Sequence, residues 1–214
     1  MTLTAIAFPP PANPQPRHLL VALHGWGANA DDLAALAPYL KLSNCQMLFP
    51  NAPFAHPQVP NGRMWYGFPM GYDFRSPPNF NTQADLNQSR QQLTQWLLSL
   101  ENSTGVPLAN TVLAGFSQGG AMTLDVGTQL PLAGLMVLSG YLHAPIKPRY
   151  PHCPVLMIHG RQDAVVPLVL AQQAKAALVA NNMKVDYHER HMGHEIQPEM
   201  LVQMQQFCEI LWTN

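Results

Sequence analysis

The stretch G-F-S-Q-G at residues 115–119 places one serine between two glycines, after an apolar run and before a segment with helical spacing. A strand that turns sharply into a helix around a serine brings the flanking positions so close together that only glycine fits there. The turn presents the hydroxyl of Ser117 to the positive N-terminal end of the helix. The pattern predicts a nucleophilic serine; the alternative is an ordinary glycine-rich turn with an exposed serine.

A serine hydroxyl is a weak nucleophile at neutral pH, so it needs a base and an acid that orients the base. In hydrolases with this turn, the acid and then the histidine follow the serine along the chain. Asp163 in "MIHGRQDAVVP" follows a strand-like run, and His194 in "ERHMGHEI" follows the last such run. We predict Asp163 as the acid and His194 as the base, with a solvated loop residue or a helix cap as the alternative for Asp163.

The other acids and histidines that could serve as the orienting acid or the base occupy less suitable positions in the sequence. Asp125 lies about two turns into the helix after the serine and Asp186 lies inside a strand-like run, whereas Asp163 follows a strand's C-terminal end. Open α/β sheets gather their functional groups at those ends. A glycine directly before His194 lets its loop turn closely, so we expect His191 to be a surface or supporting residue.

Other polar residues are expected to have structural roles. His24 and His159 each precede a glycine at a strand end, and we predict that both hold loops by hydrogen bonds. The H-x-x-H spacing in "HMGHE" offers too few ligands for a metal, so no metal site is predicted. The cysteines lack C-x-x-C spacing and are expected to be buried free thiols: Cys45, Cys153 and Cys208.

Two backbone amides are expected to stabilise the negative oxygen that forms when the serine attacks a carbonyl. One is the N–H of Gln118, directly after the nucleophile. The other is the N–H of Trp26 in "LHGWGAN", where Gly25 and Gly27 permit a turn toward the same oxygen. The alternative for this stretch is a plain glycine turn that enters a helix at Asp31.

Strand-like and helix-like segments alternate along the chain. The strand candidates are apolar at consecutive positions, as in sheets covered on both faces: "LTAIAF", "HLLVALH", "CQMLFP", "TVLAGF", "LAGLMVLSG", "PVLMIHG" and "KVDYHE". The helix candidates are Asp31–Leu40, Thr82–Leu100 with a capping-box pattern at T-Q-A-D, Gln118–Leu130, Leu168–Asn182 and Pro198–Trp212. The alternation predicts a mostly parallel, doubly wound sheet with helices on both faces.

Length and composition bound the class of protein. The 214 residues, 47% of them hydrophobic, fit one domain over residues 1–214. A net charge of −1 with 11% charged residues leaves no basic stripe for a nucleic-acid partner. With neither a cationic leader nor a long apolar run, the chain is expected to be cytoplasmic and without stable membrane insertion.

Two segments lie outside this alternation. Residues 9–16 are rich in proline and are interpreted as a stiff turn or an edge connection, not as a recognition module. Residues 51–81 form a long irregular region rich in proline, glycine and aromatic residues. Irregular regions of that length in compact domains usually serve function or are disordered, and the aromatic residues of this one favour order.

The motifs together carry a resemblance. In this order, "LHGWGAN", "MWYGF", "GFSQGGAM", "LSGYL", "HGRQDAVVP" and "GHEI" resemble the phospholipase/carboxylesterase family of α/β-hydrolases over roughly Leu19 to Glu199. That family includes acyl-protein thioesterases, lysophospholipases and small bacterial carboxylesterases. The resemblance implies a hydrolase without metal or organic cofactor. It also implies the same site residues: Ser117, Asp163, His194 and the amides of Trp26 and Gln118.

The substrate surface is expected to be apolar and open, because no inserted helical lid interrupts the alternation. Its predicted members are Trp26, Trp65, Tyr66, Tyr141 and Val166, with loop packing as the alternative for each aromatic residue. Many family members carry an acidic residue after W-[FY], whereas this chain has Gly67 there. This departure leaves the acyl preference open.

The predicted function is a serine esterase or thioesterase acting on short to medium acyl chains, with lysophospholipids and acylated proteins as further candidate substrates. A binding protein or receptor on a hydrolase scaffold, with little turnover, is the alternative. Peptidase or acyltransferase chemistry could use the same residues. The oligomeric state is not fixed by the sequence, although an apolar patch around the groove could support a dimer.

Overall fold

A computed structural model describes residues 3–8, 16–74 and 80–213 of the chain. The interpretation of residues 9–16 as a stiff turn falls almost entirely outside these ranges. Residues 75–79 of the long irregular region also lie outside them. Among the described residues, no helix combines the length and apolar character needed to cross a bilayer.

A seven-stranded sheet forms the centre of the fold. Its strands are, in spatial order, β1 (Ala5–Phe8), β3 (Cys45–Pro50), β2 (His18–Leu23), β6 (Thr111–Phe116), β7 (Gly134–Leu138), β8 (Val155–Gly160) and β9 (Val185–Arg190). Only the edge strand β1 pairs antiparallel with its neighbour; the other pairs are parallel. Each predicted apolar run contributes one of these strands, so the mostly parallel sheet is confirmed.

The helices cover both faces of the sheet. They are α1 (Ala30–Ala34), α2 (Ala84–Thr104), α3 (Gln118–Gly127), α4 (Leu168–Ala180) and α5 (Pro198–Trp212). Apolar side chains of α2, α3 and α4 pack in one core cluster, and those of α1 and α5 pack in a second cluster across the sheet. The central strands are almost completely buried because both of their faces are covered.

Two local predictions were wrong. The helix predicted over Asp31–Leu40 ends at Ala34 and is followed by a separate 3-10 turn at Ala37–Tyr39. Pro38 has no N–H to donate to the carbonyl four residues earlier, so the α-helix cannot continue through it. The capping box predicted at T-Q-A-D does not form: α2 begins after Gln83, whose side chain caps nothing, and Asp85 accepts the N–H of Gly67 at 2.7 Å instead.

All three cysteines are free and buried, as predicted. Burial raises the pKa of the Cys45 and Cys153 thiols to about 12. The pKa of Cys208 is also raised, chiefly by burial. These thiols act as small apolar side chains of the core.

The strand order determines where the chemistry can occur. Because β6, β8 and β9 are parallel and close together, their carboxyl ends meet at one edge of the sheet. Ser117 follows β6, Asp163 follows β8 and His194 follows β9.

A short hairpin of β4 (Phe54–Ala55) and β5 (Arg63–Met64) lies in the long loop after β3.

Candidate active site

The backbone turn at Ser117 is strained and needs glycine on both sides. Ser117 has φ 55° and ψ −118°, and its N–H donates to the carbonyl of Leu138 at 2.9 Å. A Cβ at Gly115 would lie 2.2 Å from the carbonyl oxygen of Gly119, and one at Gly119 would lie 2.2 Å from that of Leu23. The glycines allow β6 and α3 to approach closely enough to hold the serine in this conformation.

Three side chains that are distant in sequence form one chain of hydrogen bonds. His194 Nε2 lies 2.9 Å from Ser117 Oγ, and His194 Nδ1 lies 2.7 Å from Asp163 Oδ2. The other carboxylate oxygen of Asp163 accepts the N–H groups of Val165 at 2.9 Å and Val166 at 2.8 Å. The arrangement leaves Nε2 of the imidazole facing the hydroxyl, where it can accept a proton.

The electrostatics of Asp163 keep its carboxylate ionised. Burial raises the pKa of this carboxyl group, but the hydrogen bond from His194 and the two backbone amides outweigh that effect and lower it. A carboxylate can only accept hydrogen bonds, so the proton on the imidazole is placed at Nδ1. This tautomer frees Nε2 for the serine.

The side chains of the other candidate acids and histidines bond to partners other than Ser117. Asp125 pairs with Arg90 and with His143, whose Nε2 lies 2.9 Å from the carboxylate. Asp186 pairs with His188 at 2.9 Å. His191 bonds both polar atoms of the Gln162 side chain. His24 and His159 both bond backbone groups of loops. Among the described residues, no three metal-ligating side chains converge.

The loop of residues 24–28 lies directly against the serine. A Cβ at Gly25 would lie 3.3 Å from Ser117 Cβ, and Gly27 has φ 80°. His24 Nε2 accepts the N–H of Ala52 at 3.0 Å, so its Nδ1–H donates to the Gly25 carbonyl at 2.8 Å. No peptide bond among the described residues is cis, so the bond between Gly25 and Trp26 is trans. In a trans peptide the N–H and the C=O point in opposite directions, so the N–H of Trp26 points opposite to the carbonyl of Gly25.

The predicted substrate residues separate into one exposed and four buried side chains. Trp26 is 41% exposed, and its ring lies 5.5 Å from that of Phe68. The other four are at most 1% exposed: Trp65, Tyr66, Tyr141 and Val166. Their predicted contact with substrate is therefore corrected, because they present no surface to a ligand.

The buried four support the site from behind. The indole N–H of Trp65 donates to the carbonyl of His24 at 3.0 Å. The hydroxyls of Tyr141 and Tyr66 form a hydrogen bond at 2.6 Å, and the Tyr66 hydroxyl also lies 3.1 Å from Nδ1 of His143. Val166 supplies one of the two amides to Asp163. Loop packing, the alternative that the sequence left open for the aromatic residues, is what the structure shows.

Sequence reasoning missed the aromatic residues that do reach the surface. Phe68, Tyr72 and Phe74 are half-buried, and the ring of Phe68 lies 5.7 Å from Tyr72 and 5.6 Å from Phe74. With Trp26 they form an apolar surface from the 24–28 loop toward Tyr141. The three rings within "GFPMGYDF" were the available signal, but the sequence does not show which loop aromatics turn inward.

Comparisons with known proteins identify the family of the chain. The model of a family described as phospholipase/carboxylesterase matches residues 9–212. Acyl-protein thioesterase 1 of Schizosaccharomyces pombe is 28% identical, over 92% of this chain and 93% of that protein. Acyl-protein thioesterase 1 of Kluyveromyces lactis is 27% identical, over 97% of each.

Solved structures of other proteins share the fold of this chain. The crystal structure of esterase PE8 superposes with a TM-score of 0.88 at 28% identity, covering 99% of this chain and 100% of that one. SOBER1 of Arabidopsis thaliana superposes with a TM-score of 0.78 at 24% identity, covering 92% and 99%, which shows a likeness in fold.

Proposed function

Since the chain belongs to the phospholipase/carboxylesterase family of α/β-hydrolases and is an esterase- or thioesterase-like enzyme, we propose that it works through an acyl-enzyme carried by Ser117, His194 and Asp163. We also propose that residues 1–214 act as one domain. The observation that supports the mechanism is the unbroken hydrogen-bond chain from the serine hydroxyl through the imidazole to the carboxylate.

In the acylation step, His194 Nε2 takes the proton of Ser117 as Oγ attacks the carbonyl carbon of the ester or thioester. The carbonyl oxygen becomes negative and accepts hydrogen bonds from the N–H groups of Trp26 and Gln118. The protonated imidazole then donates to the leaving alcohol or thiol. Asp163 stabilises the imidazolium without taking its proton.

Deacylation repeats these steps with water as the nucleophile. His194 Nε2 accepts a proton from water as the water oxygen attacks the acyl carbon. The second tetrahedral intermediate uses the same two amides. Ser117 Oγ leaves with the proton of the imidazole, and the carboxylic acid is released.

The apolar surface of Trp26, Phe68, Tyr72 and Phe74 suits an acyl chain better than a phosphate or free carboxylate. We propose short to medium acyl esters or thioesters as substrates, with lysophospholipids and acylated proteins as further candidates. Relatives named acyl-protein thioesterase support the thioester class. A hydrolysis series from C2 to C16 acyl chains tests this: a preference for the longest chain with interfacial activation would contradict the open groove.

The variant Ser117→Ala tests the mechanism. We expect it to lose hydrolysis of a chromogenic short-chain ester by a factor of about 10⁴ or more, and to lose covalent labelling by a fluorophosphonate. Ser103→Ala is the matched control, because that hydroxyl donates to a carbonyl of its own helix, α2, and should keep wild-type rates.

Three outcomes separate the candidate functions. Wild-type turnover and labelling that both depend on Ser117 support the enzyme. Labelling of Ser117 in wild-type protein without steady-state turnover would favour the receptor-like alternative. A Ser117→Ala variant that hydrolyses the ester at near wild-type rate would show that another residue is the nucleophile.

A further inference from the structure

Residues 62–66 contact both parts of the chain that carry the proposed oxyanion amides; we call them the bridging segment. On one side, the N–H of Gly27 donates to the carbonyl of Arg63 at 2.9 Å, and the N–H of Arg63 donates to the carbonyl of Ala28 at 2.8 Å. The indole of Trp65 adds a bond to the carbonyl of His24 at 3.0 Å. The segment thus holds the 24–28 loop on both sides of Trp26.

On its other side the bridging segment holds Gln118 through that residue's side chain. The N–H of Trp65 donates to Gln118 Oε1 at 2.9 Å, and Gln118 Nε2 donates to the carbonyl of Tyr66 at 2.8 Å. The Gln118 side chain is completely buried, so water does not compete for these bonds. Gln118, whose backbone N–H is a proposed oxyanion donor, is therefore fixed by its amide side chain to the same segment that holds Trp26.

The bridging segment is tightly packed against its neighbours. A Cβ at Gly62 would lie 2.6 Å from the carbonyl oxygen of Gly27, so the two backbones are in near contact there. The Arg63 guanidinium donates to the carbonyls of Ala52 at 2.9 Å and Pro53 at 3.0 Å. Ser89 of α2 donates its hydroxyl to the carbonyl of Trp65. These contacts anchor the segment to three other parts of the fold.

We propose that the bridging segment fixes the separation of the two oxyanion amides, with the side chains of Gln118 and Trp65 as positioning groups. This inference rests on the proposed function, since it needs the amides of Trp26 and Gln118 to be the donors. Donors stabilise a developing oxyanion only when they are held in place before the reaction begins. A small shift between them should therefore weaken transition-state binding more than substrate binding.

Gln118→Ala tests the proposal directly, because the variant keeps its own backbone N–H and loses only the bridge. We expect kcat to fall by about 10- to 100-fold, with KM within about twofold of wild type. The affinity for a trifluoromethyl ketone should fall by the same factor as kcat/KM, because its serine adduct carries the oxyanion. Rates are normalised by active-site titration, so that loss of folded protein does not count as loss of catalysis.

Gln129→Ala is the matched control for that variant. Gln129 follows α3 and donates Nε2 to the carbonyl of Lys147 at 2.9 Å, away from the serine. It should keep both kcat and the inhibitor affinity of wild type.

Gly62→Ala and Gly67→Ala form a second pair. The first should push on the carbonyl of Gly27 and lower kcat and inhibitor affinity together. The second meets only an Asp85 oxygen at 3.5 Å, an ordinary contact, and should leave both unchanged.

The results that would overturn the inference differ from those that would overturn the proposed function. A Gln118→Ala enzyme with unchanged kcat, or with reduced kcat but wild-type affinity for the ketone, would show that the bridge does not position the donors. Wild-type protein that neither hydrolyses esters nor labels at Ser117 would overturn the function and the inference with it. If Gly62→Ala yields no folded protein, Gln118→Ala alone decides.

Discussion

At the scale of single residues, Asp163 controls which nitrogen of His194 faces the serine. Its carboxylate accepts the Nδ1–H at 2.7 Å, and an amide at that position can present N–H groups to the ring instead. We predict that Asp163→Asn lowers kcat by about 10³- to 10⁴-fold through the wrong tautomer. Single-turnover acylation followed by stopped flow measures the loss, and circular dichroism checks that the fold is kept.

Asp186→Asn is the control for this substitution. Its carboxylate pairs with His188 on the exposed side of β9, so the acylation rate should equal that of wild type. An Asp163→Asn enzyme within tenfold of the wild-type rate would place the orienting acid elsewhere.

The sequence predicted the residues that become neighbours in the proposed mechanism better than it predicted the substrate surface. Ser117, Asp163 and His194 each follow a recognisable strand, and parallel strands bring such positions to one edge. The orientation of the Trp65 and Tyr66 rings depends on partners such as the carbonyl of His24 and the side chain of His143, which are distant in the chain. No local pattern specifies those partners, so the predicted contact of these rings with substrate was wrong.

At the scale of elements, the crossing of β2, β6 and α3 determines whether the serine turn can form. A Cβ at Gly119 would lie 2.2 Å from the carbonyl oxygen of Leu23 in the centre of the sheet, where no atom can move away. We predict that Gly119→Ala is not recovered as folded protein, or that its free energy of unfolding is lower than that of wild type by at least about 3 kcal/mol. Soluble yield and urea denaturation measure this effect.

Gly71→Ala is its counterpart on the surface. Gly71 has φ 73°, and a Cβ added there would meet nothing within 4 Å, so only backbone strain opposes the change. The expected loss is about 1 kcal/mol. Equal losses for the two variants would mean that the serine turn is looser than its geometry indicates.

Sequence patterns predicted the existence of the elements more reliably than their ends or pairings. The helix over Leu168–Asn182 was predicted within two residues of α4, because its apolar spacing is regular. The helix after the 24–28 loop was predicted too long because the apolar pattern continues to Leu40, whereas Pro38 interrupts the helical hydrogen bonds. The antiparallel pairing of β1 with β3 has no local signal, since it depends on contacts between distant segments.

At the scale of the whole molecule, buried neutral histidines make stability depend on pH. Burial lowers the pKa of His24 to about 4, and burial also lowers that of His159. Between the unfolded value near 6.5 and the folded value, the unfolded chain binds more protons than the folded one. The free energy of unfolding should therefore fall as the pH drops from 7 to 4, with His24 contributing about 3 kcal/mol.

Urea unfolding at pH 7, 6, 5 and 4 measures this dependence in wild type and in His24→Gln. The variant should be less stable at pH 7, because it loses the bonds to Ala52 and Gly25, and its stability should fall less steeply toward pH 4. Parallel curves for the two proteins would show that protonation of His24 does not limit the fold.

The sealed thiols of the core have a practical consequence for studying the groove. Cys45, Cys153 and Cys208 are buried with raised pKa values, so maleimides should react with them slowly. Met70 is fully exposed on the same loop as the surface aromatics. A cysteine introduced there would take up a fluorophore selectively, and its emission could report ligand arrival without any native sulfur having to be removed first.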